Sequence, residues 1–141
     1  MNKNEIYDKI KRMLQSKDEI LFAYIFGSFV HIDDYHDVDI AVYLDEDFNK
    51  NNVRKFPYGY ESLLISELNI LIREEVDLVV MNRADITLQQ RIINKGTSIF
   101  SKDIKKQLAY ENYIRALYID GEPLRKIRRY YLAGGNINAG S

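Results

Sequence analysis

Leu21-Phe22-Ala23-Tyr24-Ile25-Phe26 runs directly into Gly27-Ser28, and after eight intervening residues comes Asp37-Val38-Asp39-Ile40-Ala41-Val42. The first run is apolar, rich in aromatic residues and short, which reads as a buried strand stopped by a Gly-Ser turn. The second, extended to Leu44, reads as another strand built around Asp39. Side chains alternate along a strand, so Asp37 and Asp39 project to one side while Val38 and Ile40 face the other. An isolated charge in such surroundings costs several kcal/mol, so two carboxylates converging at one strand need a shared proton or cation.

Outward from this pair, the chain alternates helices and strands. Ile6, Ile10, Met13 and Leu14 recur at helical spacing ahead of the first strand. Beyond the second strand, an acidic and Asn-rich loop spans Asp45 to Asn52. Pro57 and Gly59 precede a helix bearing Tyr60, Leu64, Leu68, Leu71 and Ile72. Val76 to Met81 reads as a third strand containing Asp77. Asp85 caps a helix bearing Ile86, Ile92 and Ile93 that stops near Gly96, and Thr97 to Phe100 is a short final strand. From Asp103 onward, Ile104, Leu108, Ala109, Tyr113, Ala116 and Leu117 mark the apolar face of another helix. Asp120-Gly121-Glu122-Pro123 separates it from the basic segment Leu124 to Leu132. This order predicts a single α/β (α+β) domain over residues 1–132, with a short mixed sheet flanked by helices. Its core is expected at about 1–101 and its helical C-terminal region at 103–132. The Gly- and Asn-rich residues 133–141 have little to bury and are expected to be disordered.

Composition limits the function. The chain has 141 residues, 46% apolar and 29% charged, enough for one soluble domain with a true core. Twenty Lys and Arg face 21 Asp and Glu, so no net field marks a nucleic-acid binder. The absence of cysteine excludes disulfides, thiolate metal sites and cysteine nucleophiles. The polar start, Met1 to Lys11, is unlike a signal peptide and no run reaches membrane-spanning length, so a cytoplasmic protein with no membrane partner is expected.

Asp77 is the third strand-embedded carboxylate and joins Asp37 and Asp39 if its strand lies beside theirs; Glu75 is the alternative. Hard oxygen ligands suit Mg²⁺ or Mn²⁺, which completes its shell with substrate phosphates and water. Gly27 lets backbone approach a ligand closely, and Ser28 adds a hydroxyl beside N–H groups that favour phosphate if a helical turn begins there. A phosphate grip followed by a metal pair describes phosphoryl or nucleotidyl transfer. Ser28 has no nucleophile elbow around it and reads as a phosphate contact. His31 and His36 fall in the loop between grip and metal pair and receive no role. Arg125, Lys126, Arg128 and Arg129, with Tyr130 and Tyr131, read as a solvated charged face rather than a nucleic-acid surface. Tyr110, Tyr113 and Tyr118 read as core or partner surface.

Phe26-Gly27-Ser28-Phe29, Asp37-Val38-Asp39-Ile40-Ala41-Val42 and Val76-Asp77-Leu78-Val79 together resemble the DNA polymerase β-like nucleotidyltransferase superfamily. Within it they resemble the minimal MntA-type antitoxins that pair with HepT-type toxins. The chain departs from many relatives in carrying His31-Ile32 where they have Arg-Gly. The resemblance implies that Asp37 and Asp39 bind both metals, that Asp77 binds the catalytic metal and helps deprotonate the nucleophile, and that Gly27 and Ser28 hold the triphosphate. It further implies ATP as donor and a tyrosine of a HepT-like toxin as acceptor, so that transferred AMP silences the toxin. Two other readings remain at this stage: a nucleotidyltransferase for a small molecule whose pocket is completed by homo-oligomerisation, and an antitoxin that neutralises by binding alone.

Overall fold

A computed structural model describes residues 1–132, so the expectation for 133–141 lies outside the described residues. The chain forms α1 (Lys3–Gln15), β1 (Ile20–Phe26), the single turn α2 (Ser28–His31), β2 (Val38–Leu44), α3 (Tyr60–Ile72) and β3 (Val76–Val80). A 3₁₀ turn at Met81–Arg83 leads to α4 (Ile86–Lys95), β4 (Thr97–Ser101), α5 (Ile104–Asp120) and α6 (Glu122–Leu132). The four strands lie in the order β3-β2-β1-β4. β1 runs antiparallel to both of its neighbours, and β2 and β3 are parallel. That parallel pair needs a crossover, which α3 supplies. The result is the short mixed sheet between helices that the pattern predicted.

Strand alternation divides the core into two layers. Ile20, Ala23, Ile25, Val38, Ile40, Val42 and Leu44 face α1 and α3, whose Ile6, Ile10, Leu14, Leu64, Leu68 and Ile72 close over them. Phe22, Tyr24, Ala41 and Tyr43 point the other way, toward Ile92 and Ile93 of α4 and Ile114 of α5. Helix ends are set locally. The Asn2 side chain accepts from the Glu5 N–H at 2.9 Å to start α1, and Asp85 accepts from the Leu88 N–H at 2.8 Å to start α4. α3 ends at Arg73, whose left-handed backbone (φ 56) reverses the chain, and Asn69 Oδ1 receives the Val76 N–H at 3.0 Å, joining helix to strand.

The apolar face of α5 marked by the sequence is open: Ile104, Leu108, Tyr113 and Leu117 are exposed, while the buried residues are Ile114 and Gln107. The reason is a polar network. Gln107 Nε2 donates to the Tyr24 hydroxyl and to Ser98 Oγ, both at 3.1 Å, and Tyr24 donates to Glu111 Oε2 at 3.0 Å. These bonds turn the Gln107–Tyr110–Ile114 side of the helix inward. Tyr110 joins the core, its ring 4.9 Å from that of Tyr43 and its hydroxyl bonded to Gln89, whereas Tyr118 lies under the Arg125 guanidinium at 3.6 Å. Among the described residues no helix is long and apolar enough to cross a membrane.

Candidate active site

The C-terminal end of β1 and the N-terminal ends of β2 and β3 meet at one edge of the sheet. Antiparallel pairing places Phe26 opposite Asp39, and parallel pairing places Asp39 opposite Asp77. Asp37 stands one residue before β2 and shares the parity of Asp39, so three carboxylates gather on the α4/α5 side of the sheet. The condition set by the sequence, that the Asp77 strand lie next to the Asp39 strand, is met.

Gly27 follows Phe26 directly and presses its backbone against this cluster. A Cβ at Gly27 would stand 2.0 Å from Asp39 Oδ2 and 3.0 Å from Asp39 Cγ, so no other residue fits without moving the carboxylate. The backbone agrees, because φ 75 and ψ −155 fall in a region that is essentially restricted to glycine. From there the chain enters α2, in which the Val30 N–H donates to Gly27 O at 3.2 Å and the Ile32 N–H to Ser28 O at 2.8 Å. The first N–H groups of a helical turn have no acceptor within it and point outward from its start, which here lies beside Asp39. Ser28 is half-buried as the first residue of this turn.

The electrostatics show what the cluster lacks. Burial, followed by the charges of Asp77 and Asp37 and a hydrogen bond with Asp77, raises the Asp39 carboxyl above its ordinary value. No Lys or Arg forms an ion pair with any of the three among the described residues. The site therefore favours added positive charge. Its donors are all hard oxygens, which fits Mg²⁺ or Mn²⁺ and not a soft metal. Among the described residues no three acid or imidazole side chains are disposed to enclose a metal by themselves. Asp37, Asp39 and Asp77 are the residues that could hold a cation here, and it would need phosphate and water to complete its shell, the usual habit of Mg²⁺.

Two supports of the site were not visible in the sequence pattern. The Lys3 ammonium donates to Phe29 O at 2.7 Å and Ile32 O at 2.8 Å, reaching from α1 to the end of α2. The Tyr35 hydroxyl donates to Glu74 Oε1 at 3.1 Å, and its ring meets Phe29 edge-on at 4.8 Å, holding the loop between grip and carboxylates. Both join residues far apart in the chain, and no local motif announces them. The side chains of His31, Ile32 and His36 are exposed in this loop, and of the three residues Ile32 takes part through its backbone, accepting from Lys3 and donating to Ser28.

The geometry thus sets a glycine turn against three carboxylates on a mixed sheet, and comparison with known proteins gives the class. The profile of the Polymerase beta, Nucleotidyltransferase family matches residues 8–105, and the chain belongs to that family. Among solved structures, a chain of the toxin–antitoxin MntA–HepT complex is 18% identical with a TM-score of 0.71, covering 92% of this chain and 98% of that one. A chain from the tri-AMPylated Shewanella oneidensis HEPN toxin bound to its MNT antitoxin is 19% identical with a TM-score of 0.72, covering 93% and 98%. A chain of a toxin–antitoxin structure with AMP-PNP is 20% identical with a TM-score of 0.73, covering 90% and 98%. At these identities the likeness shows a shared fold. No curated protein matches the chain.

Proposed function

We propose that this chain is a metal-dependent adenylyltransferase that transfers AMP from ATP to a tyrosine of a HepT-like toxin and thereby acts as its antitoxin. The observation that carries the nucleotidyl-transfer part is the contact of the Gly27 backbone with the Asp39 carboxylate, itself paired in register with Asp77. This contact supports the reading because it sets the Gly27–Ser28 turn directly against the carboxylates. The acceptor is supported by the fold shared with chains of toxin–antitoxin complexes, one of them with an AMPylated toxin.

In this reading Gly27 and Ser28 hold the triphosphate through backbone N–H groups and the serine hydroxyl. Asp37 and Asp39 would hold Mg²⁺, or Mn²⁺, with Asp77 completing the set. A bound divalent ion supplies charge neutralisation at the phosphates and makes the acceptor hydroxyl more acidic. Asp77, exposed at the sheet edge, receives the tyrosine proton as the phenolic oxygen attacks the α-phosphorus. The bond from the α-phosphorus to the β-bridging oxygen breaks, pyrophosphate leaves, and the tyrosine carries AMP. The catalytic core is 1–101, and the helical region 103–132, with its exposed apolar residues, is available to the partner.

Intact-mass spectrometry tests this on the chain incubated with a HepT-like protein, ATP and Mg²⁺. AMP increments on the partner, absent with the Asp37→Asn, Asp39→Asn double variant, are the expected result. A stable complex with unmodified partner would instead indicate neutralisation by binding alone. AMP transfer to a small molecule by an oligomer of this chain would replace the protein acceptor.

A further inference from the structure

We propose that Lys3 is a positioning residue for nucleotide binding, acting through the carbonyl oxygens that close the α2 turn; this rests on the reading of Gly27–Ser28 as the triphosphate grip. The turn cannot hold its own shape. α2 is four residues long, and a single helical turn fixes many dihedrals for very few hydrogen bonds. Its last carbonyls have no donor within the turn.

Lys3 supplies what is missing. Its ammonium donates to Phe29 O at 2.7 Å and Ile32 O at 2.8 Å and stands 3.9 Å from Asp33 Oδ1, so its charge lies at the end of the turn where carbonyl dipoles favour a cation. It also sits 5.2 Å from the Phe29 ring centroid and 5.4 Å from that of Tyr35. Every one of these groups belongs to the segment between Ser28 and Asp37, which has the phosphate grip at one end and a metal-binding acid at the other.

The other end of the lever is fixed. Lys3 is the first residue of α1, whose start is capped by Asn2 and whose Ile6, Ile10 and Leu14 are fully buried against the sheet. Rigidity therefore passes from the core through α1 and one ammonium to the turn, presenting the N–H groups at its start in one orientation before nucleotide arrives. Such preorganisation increases affinity by removing an ordering cost from binding.

The test uses the full chain with Lys3→Met, which keeps the apolar stem, and Lys3→Arg, which can still donate to two carbonyls. Affinity for AMP-PNP with Mg²⁺ is measured by calorimetry, amide exchange is followed along the chain, and kcat and KM for ATP are compared. Lys3→Met is expected to weaken AMP-PNP binding on the order of ten-fold, as for loss of a charged hydrogen bond. It should raise KM for ATP more than it lowers kcat, and speed exchange at 29–36 while α3 is unchanged. Lys3→Arg should recover most of the affinity. Unchanged affinity in Lys3→Met, or a loss that accompanies faster exchange throughout the chain, overturns the role of Lys3. Failure of the unsubstituted chain to bind AMP-PNP removes the reading of the grip and Lys3's role with it, a result distinct from binding that is indifferent to Lys3.

Discussion

Replacing Gly27 by alanine introduces one methyl group at the point where backbone and carboxylate touch. Two costs arise from the structure. The first is conformational: φ 75 with ψ −155 is a region that other residues occupy at a cost of about 1–3 kcal/mol. The second is steric: a Cβ at 2.0 Å from Asp39 Oδ2 must be relieved by moving the carboxylate more than an ångström or shifting the strand ends, about 1–3 kcal/mol more. The sum, about 2–6 kcal/mol, is a large part of the roughly 5–15 kcal/mol that holds an ordinary domain together. Gly59→Ala separates the two costs. Gly59 also has positive φ (94), but its Cβ would meet nothing closer than Ser62 Oγ at 4.0 Å. Chemical denaturation should show both variants destabilised, Gly27→Ala the more, while AMP-PNP binding with Mg²⁺ is lost in Gly27→Ala and kept in Gly59→Ala. A Gly27→Ala protein as stable as Gly59→Ala that still binds nucleotide would refute the close approach as the basis of the site.

Three further outcomes are expected. Because the folded state holds the Asp39 carboxyl above its ordinary value, its cost is fully present at neutral pH and is relieved as pH falls through the folded value toward the ordinary one. Metal-free Asp39→Asn should therefore be more stable than the unsubstituted chain at pH 7, with the difference shrinking in acid and Mg²⁺ stabilising only the unsubstituted chain; thermal melts across pH read this. In α5, Ile114→Ala should cost about 2–4 kcal/mol by denaturation while Leu108→Ser stays within about 0.5 kcal/mol, since only Ile114 is buried. Tyr60→Phe removes a hydroxyl that donates to Glu19 Oε2 at 2.7 Å, away from the carboxylates, and should lower stability by about 1–2 kcal/mol while nucleotide affinity is unchanged.

Where structure follows from local pattern, the sequence was legible. β2 and α3 were bounded at Val38–Leu44 and Tyr60–Ile72 because alternation, the Gly59 start and the i, i+4 spacing are all written within a few residues. Asp37, Asp39 and Asp77 stand out for the same reason, since a charge inside an apolar strand is a local anomaly, and the fold brings the three to one end of the sheet. What depended on distant partners was not legible. Gln107 is polar yet buried because Tyr24, 83 residues earlier, receives its hydrogen bond, and that bond decides which face of α5 turns inward. The Lys3 clamp reaches 26 residues to Phe29, and only the assembled fold brings them together.

The mixed sheet has a second consequence, set by its polarity. Gly27, Asp37, Asp39 and Asp77 occupy one end, while the loop between β2 and α3, residues 45–59, leaves from the other. From Asp39 to Leu44 the strand alone spans roughly 17 Å. The chain contains no cysteine, so a single one introduced at the exposed Asn51 would be its sole thiol. A fluorophore or surface tether attached there would stand clear of the carboxylate cluster, giving a handle for following single molecules of this chain.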